Sequence, residues 1–247
     1  MTLLEARGLK KDYGGIQAVA GVSFGVAAGE MVALIGPNGA GKSTCFNLLN
    51  GQVRPDAGRV TLDGVDITGW SPRRVWGLGV GRSFQVAATF GSMTARENVQ
   101  LAMIAHRGSV WRFWGRAVRL FVEEAEALLA QVGLRDRADA ACASLAHGDL
   151  KRLELALALA NAPRLLLMDE PTAGMAAGDR PGLMDLVRRL TRERGCAVLF
   201  TEHDMDVVFH IADRILVMDR GELIAEGDAA SVRANPRVQT AYLGTEG

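Results

Sequence analysis

Cysteine is scarce in this chain, and its placement is uninformative for cross-linking. Cys45, Cys142 and Cys196 are widely spaced, odd in number and form no CxxC pair. That pattern supports neither a disulfide framework nor a zinc site, and it fits a reducing cytoplasm. Net charge is missing as well, with 28 basic and 28 acidic side chains. A general nucleic-acid binder would carry a basic excess, so no nucleic-acid partner is expected. No long hydrophobic run is present. The uncharged stretch Tyr13–Gly29 is repeatedly interrupted by glycine, so it reads as strands and turns rather than a membrane span. The opening residues Met1-Thr2-Leu3-Leu4-Glu5 lack a basic region followed by an apolar block, and no secretion signal is expected. Among the four histidines, His106, His147 and His210 have no ligand-like spacing, and no metal is assigned to them.

What the chain does have is apolar residues and glycine. Nearly half of its 247 residues are apolar, enough for one large α/β domain or a core with a small subdomain. Leu3–Leu9, Val22–Val26 and Val60–Leu62 read as strands, with turns at Gly14-Gly15 and Asp63-Gly64. Met31–Ile35 is an apolar run that stops at Gly36, and Ser43–Asn50 should be helical. Between about Thr94 and Asn161 the composition shifts to Ala, Leu, Glu and Arg. Phe121, Ala125, Leu128, Leu129 and Val132 recur at helical spacing there. From Arg164 the alternation resumes: strand Leu165–Met168, helix Arg180–Arg192, strands Ala197–Phe200 and Arg214–Met218. Gly221–Gly227 adds a hairpin partner, and Asp228–Leu243 reads as two short helices. No internal repeat is visible.

Two segments carry chemistry. The first is Gly36-Pro37-Asn38-Gly39-Ala40-Gly41-Lys42-Ser43-Thr44. Its glycines let the backbone turn tightly and aim N–H groups at phosphate oxygens, and the following helix adds its positive end. Lys42 can reach the β- and γ-phosphates, and the Ser43 hydroxyl can ligate Mg²⁺. The second is Leu165-Leu166-Leu167-Met168-Asp169-Glu170. A continuous apolar run suits a central parallel strand, and ligands gather at the carboxyl ends of such strands. Asp169 could hold Mg²⁺ there, and Glu170 could polarise the attacking water. A P-loop ATPase or GTPase follows. The GTPase branch would need an Asn-Lys-x-Asp base-reading motif, and none occurs.

Further segments in order resemble the ATPase subunits of ABC transporters. Ser144-Leu145-Ala146-His147-Gly148-Asp149 lies ahead of the Asp169 strand, where that family has its Leu-Ser-Gly-Gly-Gln signature. Gln85 in Arg82-Ser83-Phe84-Gln85 falls between the two nucleotide motifs, like the family's Q-loop. His203 in Thr201-Glu202-His203-Asp204 follows the next strand, like the switch histidine. Tyr13 stands where the family has an adenine-stacking aromatic. The Leu-Ala-His-Gly form, Asp169-Glu170-Pro171-Thr172-Ala173-Gly174-Met175 and Ala241-Tyr242-Leu243-Gly244 look most like the branched-chain amino acid importer ATPases. Urea-type importer ATPases share most of these features.

The resemblance implies an α/β fold: a RecA-like, mostly parallel sheet with an N-terminal antiparallel β subdomain and a helical signature subdomain. Residues 1–93 and 162–247 would form the core with its β subdomain, and 94–161 the helical part. It implies ATP held by Tyr13, Gly36 to Thr44 and Gln85, and Mg²⁺ held by Ser43, Gln85 and Asp169. Glu170 would be the general base and His203 the γ-phosphate sensor. Leu145, Ala146, His147, Gly148 and Asp149 would cap the ATP of a second ATPase subunit, in a homodimer or heterodimer. The partners implied are integral-membrane permease subunits and, indirectly, a periplasmic solute-binding protein, with the chain peripheral at the cytoplasmic face of the inner membrane. A soluble, non-transport ABC ATPase is the alternative class; those usually carry a duplicated cassette or a coiled-coil insertion. Two positions depart from the pattern. Ala146 replaces the signature serine, and Ala173-Gly174-Met175-Ala176 lacks the acid of the family's D-loop. Asn98–Val122, with four arginines, no acid, Trp111, Phe113 and Trp114, reads as an Arg-decorated part of the helical region, with a surface near lipid or permease as the other reading.

Overall fold

The computed structural model describes residues 2–83, 89–107 and 120–243. The chain opens with a long hairpin, β1 (Thr2–Tyr13) and β2 (Ile16–Ala27), turned at Gly14-Gly15. Both strands run further than their apolar centres predict, because the Asp12 carboxylate accepts the Gly15 amide (2.7 Å) and closes the turn. β3 (Met31–Ile35) follows, then α1 (Lys42–Leu49), β4 (Ala57–Leu62), β5 (Val65–Asp66) and α2 (Pro72–Gly77). β6 (Val80–Ser83) leads to the helical stretch: α3 (Ala95–His106), α4 (Val122–Gln131) and α5 (His147–Leu159). The remainder runs β7 (Leu165–Asp169), α6 (Arg180–Glu193), β8 (Ala197–Thr201), α7 (Met205–Ile211), β9 (Arg214–Asp219), β10 (Glu222–Gly227), α8 (Ala229–Ala234) and α9 (Pro236–Leu243).

The strands form two sheets. One is antiparallel, in the order β2-β1-β4-β5. The other has the order β10-β9-β3-β8-β7-β6, parallel except for the β9–β10 hairpin. This is the expected mostly parallel core with an antiparallel companion. The central strands carry continuous apolar runs because both faces are covered. On β7, Leu165 and Leu167 face a core shared with the antiparallel sheet and α1. Leu166 and Met168 face a second core shared with α3, α4, α5 and α6. β3 and β8 alternate in the same way. Each fully buried side chain of this size contributes about 1.5–3 kcal/mol.

In the helical stretch, α3 starts with a capping box. The Thr94 hydroxyl accepts the Glu97 amide (3.2 Å), and the Glu97 carboxylate accepts the Thr94 amide (2.8 Å). Ala125, Leu128, Leu129 and Val132 enter the core as their spacing predicts, with Phe121 packed against it. Trp111, Phe113 and Trp114 lie outside the described residues. Among the described residues no helix is long and apolar enough to cross a membrane.

Four elements escape the sequence pattern: the short β5 and α2, which follow the Asp63-Gly64 turn, and β6 and α7. β6 is four residues long and is interrupted by Gly81 and Arg82, so it shows no apolar run, yet it pairs in parallel with β7. α7 is short and follows directly on the Thr201–Asp204 segment, where the Asp204 carboxylate caps it by accepting the Asp206 and Val207 amides.

Candidate active site

The glycine loop between β3 and α1 is shaped by close approaches. A Cβ on Gly36 (φ +153°) would lie 2.1 Å from the Met218 carbonyl oxygen, and one on Gly41 (φ +100°) 2.2 Å from that of Ala18. Only glycine fits either position. The loop is therefore wedged between β9 and β2. α1 begins without an acid in its first turn, and its cap residue, Gly41, offers no side-chain acceptor. The first intrahelical bond comes from the Cys45 amide to the Gly41 carbonyl (2.9 Å). The leading amides thus point outward at a positive helix end, which suits phosphate. Lys42 is buried and donates from Nζ to the carbonyls of Gly36 (2.6 Å) and Pro37 (3.1 Å). Burial pushes its pKa below the ordinary lysine value, while the charges of Glu170 and Asp169 pull it back up.

β7 delivers the acids. Asp169 is only 7% exposed. Its Oδ1 accepts the Thr201 hydroxyl (2.7 Å) from the end of β8, and its Oδ2 faces the Arg82 guanidinium at 3.7 Å. Glu170 sits in the left-handed region (φ +51°), a strained setting for a glutamate. It is held there because its amide donates to both the Thr201 hydroxyl (3.0 Å) and carbonyl (3.2 Å). Its Oε1 lies 2.9 Å from His203 Nε2. One β-hydroxyl thus fixes both acids, and the strained turn aims Glu170 at the histidine.

Glu202, to which the sequence assigns no role, supports this from beneath. It is buried, and its Oε1 accepts the Thr172 amide (2.8 Å) and hydroxyl (2.6 Å). Its Oε2 accepts the His203 amide (3.2 Å). The buried acid therefore ties the segment after Glu170 to the one carrying His203. Buried acids in such segments signal internal bonding, but sequence does not say to what.

Lys42, Asp169, Glu170 and His203 thus converge, together with Thr201, Glu202 and Arg82. Tyr13 ends β1 and is 48% exposed, with the Lys11 ammonium 5.4 Å from its ring centre. Gln85 and Phe84 lie outside the described residues. The Leu145–Asp149 segment forms the start of α5, with Ala146 at its cap and no capping side chain. His147 bonds not to a ligand-binding residue but to the Ala173 carbonyl oxygen (3.1 Å).

Comparison with known proteins identifies the family. The family described as ABC transporter matches residues 19–173, more than half of the chain. One described as branched-chain amino acid ATP-binding cassette transporter matches residues 222–247. The high-affinity branched-chain amino acid transport ATP-binding protein BraF of Pseudomonas aeruginosa is 38% identical over 98% of both chains. Its counterpart LivG of Salmonella typhimurium is 36% identical, again over 98% of each. A nucleotide-free ATP-binding cassette from an ABC transporter superposes with a TM-score of 0.87 at 31% identity, covering 98% of this chain and 99% of the other. A dimeric cassette in a post-hydrolysis state, bound to ADP and phosphate, superposes with a TM-score of 0.77 at 27% identity, covering 92% and 98%. The chain belongs to the ABC transporter family, as one of its ATP-binding, ATP-hydrolysing subunits.

Proposed function

We propose that the chain energises uptake of branched-chain amino acids by hydrolysing ATP at the convergence of Lys42, Asp169, Glu170 and His203. The observation that carries the catalytic assignment is the 2.9 Å contact between Glu170 and His203 beside a buried lysine. Phosphoryl transfer to water is chiefly positioning and charge neutralisation. The amides of Gly39 to Thr44 and the Lys42 ammonium would take the β- and γ-phosphates, and the exposed Tyr13 ring would stack on adenine. Mg²⁺, when bound, supplies neutralisation of the phosphate charge, and Ser43, Asp169 and Gln85 would hold it. The donor set fits that ion: a hard carboxylate, a hydroxyl and an amide, with Asp169 already fixed by Thr201. Glu170 accepts the proton of the attacking water, and His203 orients Glu170 and the γ-phosphate.

The signature segment Leu145–Asp149, on the helical part 94–161, would cap the nucleotide of a second cassette. The dimeric relative supports such pairing. With Ala at 146, that cap relies on backbone amides around Gly148. A groove of about 540 Å³ lined by Val75, Trp76, Val80, Leu101, Leu157 and Ala158 lies between the sheet and the helical part. Its apolar walls suit a helix of an integral-membrane permease, which would place the chain at the cytoplasmic face of the membrane. The names of the relatives support branched-chain amino acids over urea as solute.

The test has two parts. Glu170→Gln should still bind ATP but hydrolyse it about 10²–10⁴-fold more slowly; undiminished turnover overturns the catalytic assignment. Vesicles reconstituted with the cognate permease and binding protein should take up leucine in preference to urea. Uptake of urea alone would overturn the solute.

A further inference from the structure

We propose that Arg82 is a positioning residue that sets how tightly the cassette holds its divalent cation, by contesting the Asp169 carboxylate as a fixed positive charge. The inference rests on the reading of Asp169 as a magnesium ligand.

Arg82 projects from β6, the edge strand beside β7, in register with Leu167. Its side chain is 16% exposed, low for an arginine. Nη1 donates to Asn47 Oδ1 (3.0 Å) and to Gln52 Oε1 (2.7 Å). Nη2 stands 3.7 Å from Asp169 Oδ2. Asn47 lies on α1, one turn beyond Ser43, so one guanidinium spans the phosphate-loop helix, the edge strand and the acid at the end of β7. The planar fork of arginine permits this; a lysine could reach only part of it.

The electrostatics give the arrangement a direction. Asn47 and Gln52 are neutral amides, so bonding to them anchors the guanidinium without cancelling its charge. Asp169 Oδ1 is committed to the Thr201 hydroxyl, which leaves Oδ2 as the oxygen facing Arg82. A cation fixed at that distance in a buried setting lowers the negative potential that a divalent ion would find there. Arg82 therefore weakens cation binding while keeping Asp169 aimed. It also lies three residues before Gln85, so the strand that carries the competing charge leads directly into a segment expected to bind the same ion.

The probe is Mn²⁺, titrated by electron paramagnetic resonance against the purified cassette saturated with a non-hydrolysable ATP analogue. Arg82→Gln should lower the half-saturating Mn²⁺ concentration by about 3- to 10-fold. Arg82→Lys, which keeps a charge but loses part of the anchoring, should tighten Mn²⁺ binding less than Arg82→Gln does; equal tightening overturns the role given to the charge. An unchanged or weaker affinity in folded Arg82→Gln overturns the proposal. Should that variant fail to fold, Gln52→Glu supplies a competing carboxylate to the same guanidinium and should also tighten Mn²⁺ binding; no tightening there overturns it equally. Asp169→Asn separates the two levels. Unchanged Mn²⁺ affinity in that variant overturns the magnesium assignment and this inference with it. A weakened one, alongside an unaltered Arg82→Gln, overturns the inference alone.

Discussion

His147 Nε2 lies 3.1 Å from the carbonyl oxygen of Ala173 and directly over Gly174, where an added Cβ would sit 2.8 Å from that nitrogen. A carbonyl can only accept, so the Nε2 proton is the donor. The Ala173 amide in turn donates to the Glu170 carbonyl (3.0 Å). The start of α5 is thereby joined, through the backbone of one residue, to the residue expected to activate water. Gly174 has φ +79°, so two constraints meet at one position. Gly174→Ala should cost about 1–3 kcal/mol. In a His147→Ala background the clash is gone and only backbone strain remains. The two substitutions should then fail to add, with a coupling of about 1 kcal/mol in urea unfolding. Strict additivity would show that the ring does not press on residue 174.

His203→Gln removes the imidazole from Glu170 but retains a polar side chain. Hydrolysis should fall by about 10²-fold or more, with nucleotide affinity little changed. Equilibrium binding of a fluorescent ATP analogue, run beside phosphate release, checks this. A loss of binding equal to the loss of rate would mean that His203 acts in ground-state binding instead.

Acid stability should depend on Glu30. Burial opposes its ionisation, but bonds from the Arg214 guanidinium at 2.8 and 2.9 Å and from the Ala27 amide outweigh this, so its pKa sits below the ordinary glutamate value. Stabilisation from such a group is fully present above the unfolded-state value and is lost as pH falls through the folded-state one. Glu30→Gln should therefore cost about 2 kcal/mol at pH 7, and the deficit should shrink as the pH approaches 3. Urea unfolding of both forms at the two pH values reads the difference; a deficit independent of pH would contradict it.

The three thiols should be inert in the folded protein. Cys45 and Cys196 are pushed up to about 12 by burial, and burial raises Cys142 too. A thiol reacts as its thiolate, so at pH 8 a chromogenic disulfide reagent should label none until denaturant is added. Rapid labelling of Cys45 in native protein would show that α1 opens far more readily than its packing suggests.

The parts of the site legible in sequence are those where the backbone makes unusual demands. Gly36 and Gly41 are required because carbonyls of β9 and β2 crowd them, and the run Leu165–Met168 is apolar because two cores flank it. The supports were not legible. Thr201, Glu202 and His147 act through main-chain partners or on residues 26 to 32 positions away, and such bonds leave no pairing of residue types to notice. β6 hid because its glycine and arginine serve packing and charge rather than hydrophobic pattern. Gln85, central to the expected metal set, lies outside the described residues.

The alternation along β7 makes the sheet a partition, so that neighbours in sequence have different addresses. A cavity opened at Leu167 would loosen the compartment beneath the phosphate loop. One opened a single residue away, at Leu166 or Met168, would loosen the compartment that supports the signature helix. Two lesions of equal thermodynamic size and adjacent codons should therefore yield different diseases of the enzyme, one in gripping nucleotide and the other in meeting its neighbour.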